Sequence, residues 1–299
     1  MKDKNRRFAA VDILYILMMI LPILGAIALK VMTSAPSSGI SITGAQIYFT
    51  VPLPLQDLPI TSAQINSWLI IVSILGFCLY MTHGICAKAE TKRQLLAEWA
   101  VEITEKMVQG SMGEFFSGYA PMIAAILVLS AFSSLISLLG LFPPTSDINI
   151  VGGWAILVFI LITYYKLKGG VGNYLKGFAE PIFVMAPLNV LGEIATPVSM
   201  AFRHYGNVLS GSVIAVLIAS ALQGASAKLL GWLPGVLGEI PFLQIGLPAV
   251  LSLYFDIFSS CMQAYIFAML TMLNVSGAFP WEAYEKRKQK KEAKKLKRN

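Results

Sequence analysis

The stretch Ala179–Leu222, AEPIFVMAPLNVLGEIATPVSMAFRHYGNVLSGSVIAVLIASAL, decides the fold. It runs 44 residues, is apolar for most of its length, and still holds Glu193 and Arg203. As one helix at 1.5 Å per residue it would reach about 66 Å. A hydrocarbon core is about 30 Å thick and needs about 20 residues. The helix must therefore tilt steeply, lie partly along the membrane, or break, and Pro181, Pro187 and Pro197 offer places to bend. A guanidinium keeps its proton at any biological pH, so Arg203 cannot shed its charge and needs an anion or water beside it.

Five more apolar stretches surround this one: Val11–Met32, Asn66–Ala87, Gly118–Phe142, Ile150–Tyr165 and Ile245–Phe279. The last is also longer than an upright crossing requires. Across 299 residues, 56% are hydrophobic and 13% charged, against about one-quarter charged in a soluble domain. Lipid must be the solvent for most of this chain. The pattern predicts an all-α polytopic membrane protein with six membrane helices, two of them long and strongly tilted. It divides into an N-terminal helix and external loop (1–65), a core (66–280) and a basic tail (281–299).

The net charge is +7, and nine of the 23 Lys and Arg fall between Lys286 and Arg298. A basic run after an apolar segment reads as a cytoplasmic anchor beside anionic lipid rather than a nucleic-acid site. Six alternating crossings put Lys2, Lys4, Arg6, Arg7, Lys88, Lys92, Arg93, Lys106, Lys166, Lys168, Lys176 and the tail on one side. The opposite loops hold only Lys228, with Lys30 near the first boundary. By the positive-inside rule both termini are cytoplasmic. The first segment also has a second reading, as a signal peptide ending near Thr33-Ser34-Ala35-Pro36. In the second basic loop Leu96, Trp99, Ile103 and Met107 recur at helical spacing among Glu98, Glu102, Glu105 and Lys106. They form either an amphipathic helix on the membrane surface or a soluble connecting helix.

Charges inside apolar segments are functional candidates by default. Thr196, Ser199, Arg203, Asn207 and Ser210 share one helix face. Ser252, Asp256, Ser259 or Ser260, and Gln263 form a second polar stripe on the last segment. Two such stripes can line an aqueous path. The plainer possibilities are amide hydrogen bonds between helices for Asn207 and Gln263, and a structural ion pair of Arg203 with Asp256 or Glu193. The sequence has no phosphate-cradling loop, zinc motif or Ser/His/Asp pattern, and Cys78, Cys86, Cys261, His83 and His204 fall in no metal-ligand spacing. It calls for no cofactor and no metal.

At these residues a resemblance emerges. Pro197-Val-Ser-Met-Ala-Phe-Arg203-His-Tyr-Gly206-Asn207-Val-Leu-Ser-Gly211 resembles the PxSLxxRLFGNxxAG signature of subunit a of F-type ATP synthases. Gln263-Ala-Tyr-Ile-Phe-Ala-Met-Leu-Thr271 resembles that family's last-helix motif. Pro144-Thr145-Ser146-Asp147-Ile148-Asn149 is similar to its PTADxN loop, and Tyr119-Ala120-Pro121 to the start of its second core helix. The likeness runs in order from Asn66 to Phe279, leaving Val11–Met32 as an extra helix.

The resemblance implies a non-catalytic, ion-translocating Fo subunit in a bacterial cell membrane. Its two long helices would form a hairpin against a c-subunit ring. Further partners would be subunit b of the peripheral stalk and the other Fo and F1 subunits, and the cargo H+ or Na+. Arg203 would face the ring carboxylates, keep two half-channels apart and favour ion release, while Asn207, Gln263 and Asp256 would serve the same path. The chain departs from the pattern at Ser212, where the family often has Glu, and at Asp256, where it often has His or Glu. Asp256 is then the expected proton-handling group of the outer half-channel, with Glu239 at its mouth. Asn189 stands where Glu is frequent, and Glu193, one turn on, is the expected substitute near the inner exit. Ser199, Ser210, Ser212, Ser252 and Ser260 complete the half-channel candidates. A stand-alone secondary transporter or channel is the competing reading, although no inverted repeat is visible.

Overall fold

The computed structural model describes residues 2–33, 44–52, 54, 56–86, 91–179, 183–230, 246, 250–251 and 253–296. Among them, six helical segments are long and apolar enough to cross a membrane: Ala10–Thr33, Ser62–Thr82, Glu114–Leu139, Ile148–Lys168, Phe183–Leu229 and Leu253–Gly277. The all-α, polytopic expectation holds. Their outward faces carry Leu14, Leu21, Ile156, Ile160, Leu191 and many other exposed apolar side chains, a surface suited to lipid and not to water.

Helix α1 (Lys2–Thr33) packs along α2 (Ser62–Thr82). The contact is main chain to main chain: a Cβ on Gly76 would lie 2.8 Å from the Met19 nitrogen. At one end Asp12 Oδ1 lies 2.8 Å from His83 Nδ1 and 3.2 Å from Arg93 Nη1. At the other end the Lys30 ammonium donates to the Gly140 carbonyl. Between α1 and α2 the strands β1 (Ile47–Val51) and β2 (Leu58–Thr61) pair antiparallel. This hairpin is an addition to the expected external loop.

Helix α3 (Lys92–Met112) is capped by Thr91, whose hydroxyl accepts from the Gln94 amide, and ends at Gly113 with φ +85°. Its Leu96, Trp99 and Ile103 face is exposed, while Val108 and Met112 are buried. Helix α4 (Ala120–Leu135) is flanked by tight 3₁₀ turns at Glu114–Tyr119 and Ile136–Leu139. Asp147 then caps α5 (Ile148–Lys168) by accepting from the Asn149 amide at 2.9 Å, which gives the Pro144–Asn149 motif a local physical purpose.

The short α6 (Val171–Ala179) leads to α7 (Ala186–Leu230), an unbroken helix of 45 residues and about 67 Å. Of its three bending candidates, Pro187 sits in the first turn, where proline is tolerated, and Pro197 lies inside the helix. Pro181 lies outside the described residues. The last span opens with a π-helical stretch, Leu253–Ser259, and continues as α8 (Ser260–Gly277). The span covers 25 residues; Val250 and Leu251 ahead of it are also helical, while 245, 247–249 and 252 of the expected long segment lie outside the described residues. The basic α9 (Trp281–Leu296) follows.

α8 packs on α4, and α5 on α7. Phe116, Ile123, Val158, Ile162, Phe267 and Met272 form the apolar centre. Next to it Phe115, Phe116, Tyr165, Phe279, Trp281 and Tyr284 gather, edge-on or tilted to one another, around the start of α9. A Cβ on Gly169 would overlap Pro280, and Arg287 Nη1 donates to the Lys168 carbonyl at 3.1 Å, so α9 is held against the end of α5.

Candidate functional site

The polar face of α7 stays accessible. Ser199, Arg203, Asn207 and Ser210 are exposed, and Thr196 is half-buried with its hydroxyl turned back to the Gly192 carbonyl. Arg203 makes no ion pair or hydrogen bond among the described residues. The two carboxylates that could have paired with it are engaged elsewhere. Glu193 Oε1 lies 3.1 Å from the Lys166 ammonium and accepts from the Tyr174 hydroxyl at 3.1 Å. Asp256 Oδ1 accepts from Ser137 at 3.0 Å. The internal ion pair considered for Arg203 is therefore replaced by an outward-facing cation.

Asn207 and Gln263 come together. The Asn207 amide donates to Gln263 Oε1 at 2.7 Å, tying α7 to α8 one turn beyond Arg203. Gln263 is buried, whereas Asn207 reaches the exposed face. Gly211 allows a close approach at the same seam, since a Cβ there would meet Phe255 at 3.3 Å. Ser260 is buried on α8. Ser212 is exposed and its hydroxyl closes on the Leu209 carbonyl of its own helix. Ser252 and Glu239 lie outside the described residues.

At the basic end a cavity of about 350 Å³ opens between α5, α6, α7 and the start of α9. Lys166, Asn173, Tyr174, Asn189 and Glu193 line it. The Glu193 side chain is 6% exposed, and its Oε2 has no partner among the described residues. Burial, aided by the Glu193 carboxylate, raises the Tyr174 phenol above its ordinary range. Asn189 donates to the Phe178 carbonyl, holding α6 against α7. On the last span, ahead of α8, Asp256 sits half-buried in the π-helical stretch. Such stretches open the helix ladder and recur at functional sites.

Sequence reasoning missed several of these partners. In the sequence Lys166 marks only the sidedness of a loop, Tyr174 belongs to no motif, and Ser137 falls within an apolar run. The signal that could have found Ser137 is the serine spacing of α4: Ser130, Ser133, Ser134 and Ser137 share one face. No group of three His, Cys, Asp or Glu is gathered for a metal ion among the described residues.

Comparison with known proteins gives this geometry a family. The family model described as ATP synthase A chain matches residues 64–276. A subunit a of ATP synthase from Geobacter sulfurreducens is 31% identical over 75% of this chain and 92% of its own length. One from Desulforamulus reducens is 31% identical over 74% and 80%. A sodium-ion-specific subunit a from Propionigenium modestum is 25% identical over 79% and 86%. The match starts at α2, so α1 and the hairpin precede it. The chain is a multi-pass membrane protein that belongs to the ATP synthase A chain family, the membrane-sector subunit a of ion-driven ATP synthesis.

Proposed function

We propose that this chain is the ion-channel stator of its ATP synthase, with Arg203 as the fixed charge facing a ring of carboxylate-bearing c subunits. The observation that carries this reading is an arginine exposed on the polar face of a membrane helix and unpaired among the described residues, with Glu193 and Asp256 held by other groups. A charge left so needs an anion from a partner. A ring carboxylate within about 4–6 Å would have its charged form favoured by roughly 1–3 pK units, so it would release its ion beside Arg203 and take another after passing it. The same fixed charge repels cations and so keeps the two half-channels apart. Each ion carried down the membrane potential yields about 2.3 kcal/mol per 100 mV, available to turn the ring.

The half-channels follow the two acids. Glu193 and its cavity open at the basic end, which the charge distribution makes cytoplasmic. Asp256 serves the opposite side, with Ser137 positioning its carboxylate. Asn207 and Gln263 hold α7 and α8 at the spacing the ring surface requires. The cargo is H+, with Na+ the alternative suggested by the sodium-specific relative. Subunit b, the other Fo and F1 subunits and the surrounding lipid complete the partners; ATP chemistry itself belongs to another subunit.

The deciding experiment is ion-driven ATP synthesis by the reconstituted complex carrying Arg203→Ala. Synthesis is expected to vanish while the complex still assembles. A normal rate in the assembled mutant would make the arginine structural and remove this mechanism.

A further inference from the structure

Ser130, Ser133 and Ser134 of α4 are all but fully buried. Ser137 in the following turn donates to Asp256, Ser134 and Thr145 share a hydrogen bond of 2.9 Å, and Ser130 Oγ lies 3.5 Å from His204 Nε2. From Ser137 to Ser130 is seven residues, about 10 Å along the helix. A polar lane thus leads from Asp256, inside the bundle, to the residue next to Arg203.

His204 is fully buried. The rings of Trp154 and Phe267 meet it edge-on at centroid distances of 6.0 and 5.5 Å. Its Nδ1 has no hydrogen-bond partner among the described residues, and neither has Ser133 Oγ. Buried polar atoms are almost always satisfied. Two orphans on one lane call for a small mobile donor and acceptor, the role that buried water fills by bonding two to four polar groups. Hydroxyls and a neutral imidazole each donate and accept, so a proton can be taken at one ring nitrogen and released at the other.

We propose that Ser137, Ser133, Ser130 and His204 form an internal proton path from Asp256 to the depth of Arg203, with His204 as its relay. This rests on the stator reading of Arg203 above. Each passage adds a proton at Nε2 from Ser130 and releases one from Nδ1 through water to a carboxylate of the c-subunit ring, and return of the imidazole to its first tautomer resets the relay, so no net charge builds up on it. The groups facing the ring are Ser130 from α4, Trp154 from α5 and Phe267 from α8, none of them charged. Arg203 is adjacent on the same helix but lies on the exposed face. One turn on, the Gln263–Asn207 bridge marks where the interior meets that face.

The test is ATP synthesis by the whole reconstituted complex, driven by a proton gradient, with the pH on the Asp256 side varied. The variants are His204→Leu, His204→Gln, Ser133→Ala and, as reference, Arg203→Ala; co-purification of the ring checks assembly. His204→Leu should be at least about tenfold slower, with a pH–rate profile of different shape between about pH 5 and 8. His204→Gln, which hydrogen-bonds but cannot relay, should behave likewise. Ser133→Ala, which loses no side-chain bond, should also slow synthesis. Normal rates and an unchanged profile in His204→Leu and Ser133→Ala would make the lane mere packing. If the His204 variants fail to assemble, Ser133→Ala decides by the same criterion. Loss of synthesis in Arg203→Ala alone would sink the lane and leave the stator reading intact.

Discussion

At the scale of the residue, the contrast between Arg203 and Glu193 sets the chemistry. Arg203 lacks a partner within the described chain and faces outward; Glu193 has two partners and is buried. Removing one member of a buried ion pair costs roughly 3–5 kcal/mol, and less here because Lys166 is 32% exposed. Lys166→Met should therefore lower the thermal midpoint of the detergent-solubilised protein, and adding Glu193→Gln should recover much of the loss. Recovery by the double variant distinguishes a lost counter-charge from lost packing. The raised Tyr174 phenol gives a matching dependence on pH. A proton held more tightly in the folded state contributes stability below the unfolded value of about 10 and loses it as pH rises beyond that. Tyr174→Phe should flatten that alkaline loss in a stability titration. The stripe through Arg203 was legible in the sequence because spacing alone places it on one face. The partners of Glu193 and Asp256 were not, since Lys166 and Ser137 lie on other helices and contact across the bundle cannot be read from a periodic pattern.

At the scale of the element, close packing by small residues holds the bundle together. Lipid tails are as apolar as leucine, so membrane helices associate through fit and not through hydrophobic exclusion. Gly76 against the backbone of Met18 and Met19 is the clearest case. Gly76→Leu should force α1 away, at a cost of about 1–3 kcal/mol. Gly152→Leu, where an added Cβ meets nothing within 4 Å, should leave the thermal midpoint nearly unchanged; equal effects of the two would show that α1 is not held at Gly76. Four of the six spans were legible to within five residues at each end, because hydropathy over about twenty residues is a strong signal. The β1–β2 hairpin escaped because its two short runs are interrupted by Pro52, Pro54 and Pro59. The single 45-residue α7 was one of three outcomes its length allowed. Pro197 did not break it, as membrane helices tolerate an interior proline whose freed carbonyl finds other donors.

At the scale of the whole molecule, the charge asymmetry makes a topological prediction. The exposed Cys86 lies at the basic end, and Gln46 precedes the hairpin at the other. A membrane-impermeant thiol reagent should label Cys86 only from the cytoplasmic side, and Gln46→Cys only from outside; labelling from the same side would overturn the six-span arrangement. The overall architecture was legible because membrane insertion obeys few rules: length, apolarity and the sidedness of Lys and Arg. How the helix ahead of the matched region attaches was not, and the answer carries a consequence for biosynthesis. Asp12 lies inside the first span, near its start. Its two counter-groups, His83 and Arg93, are translated 71 and 81 residues later. When α1 first enters the bilayer its carboxylate is therefore alone, and it gains its partners only after α2 has crossed and α3 has begun. Docking of the first helix is deferred until the second has returned to the same side, so a nascent chain whose second helix fails to cross never closes the latch.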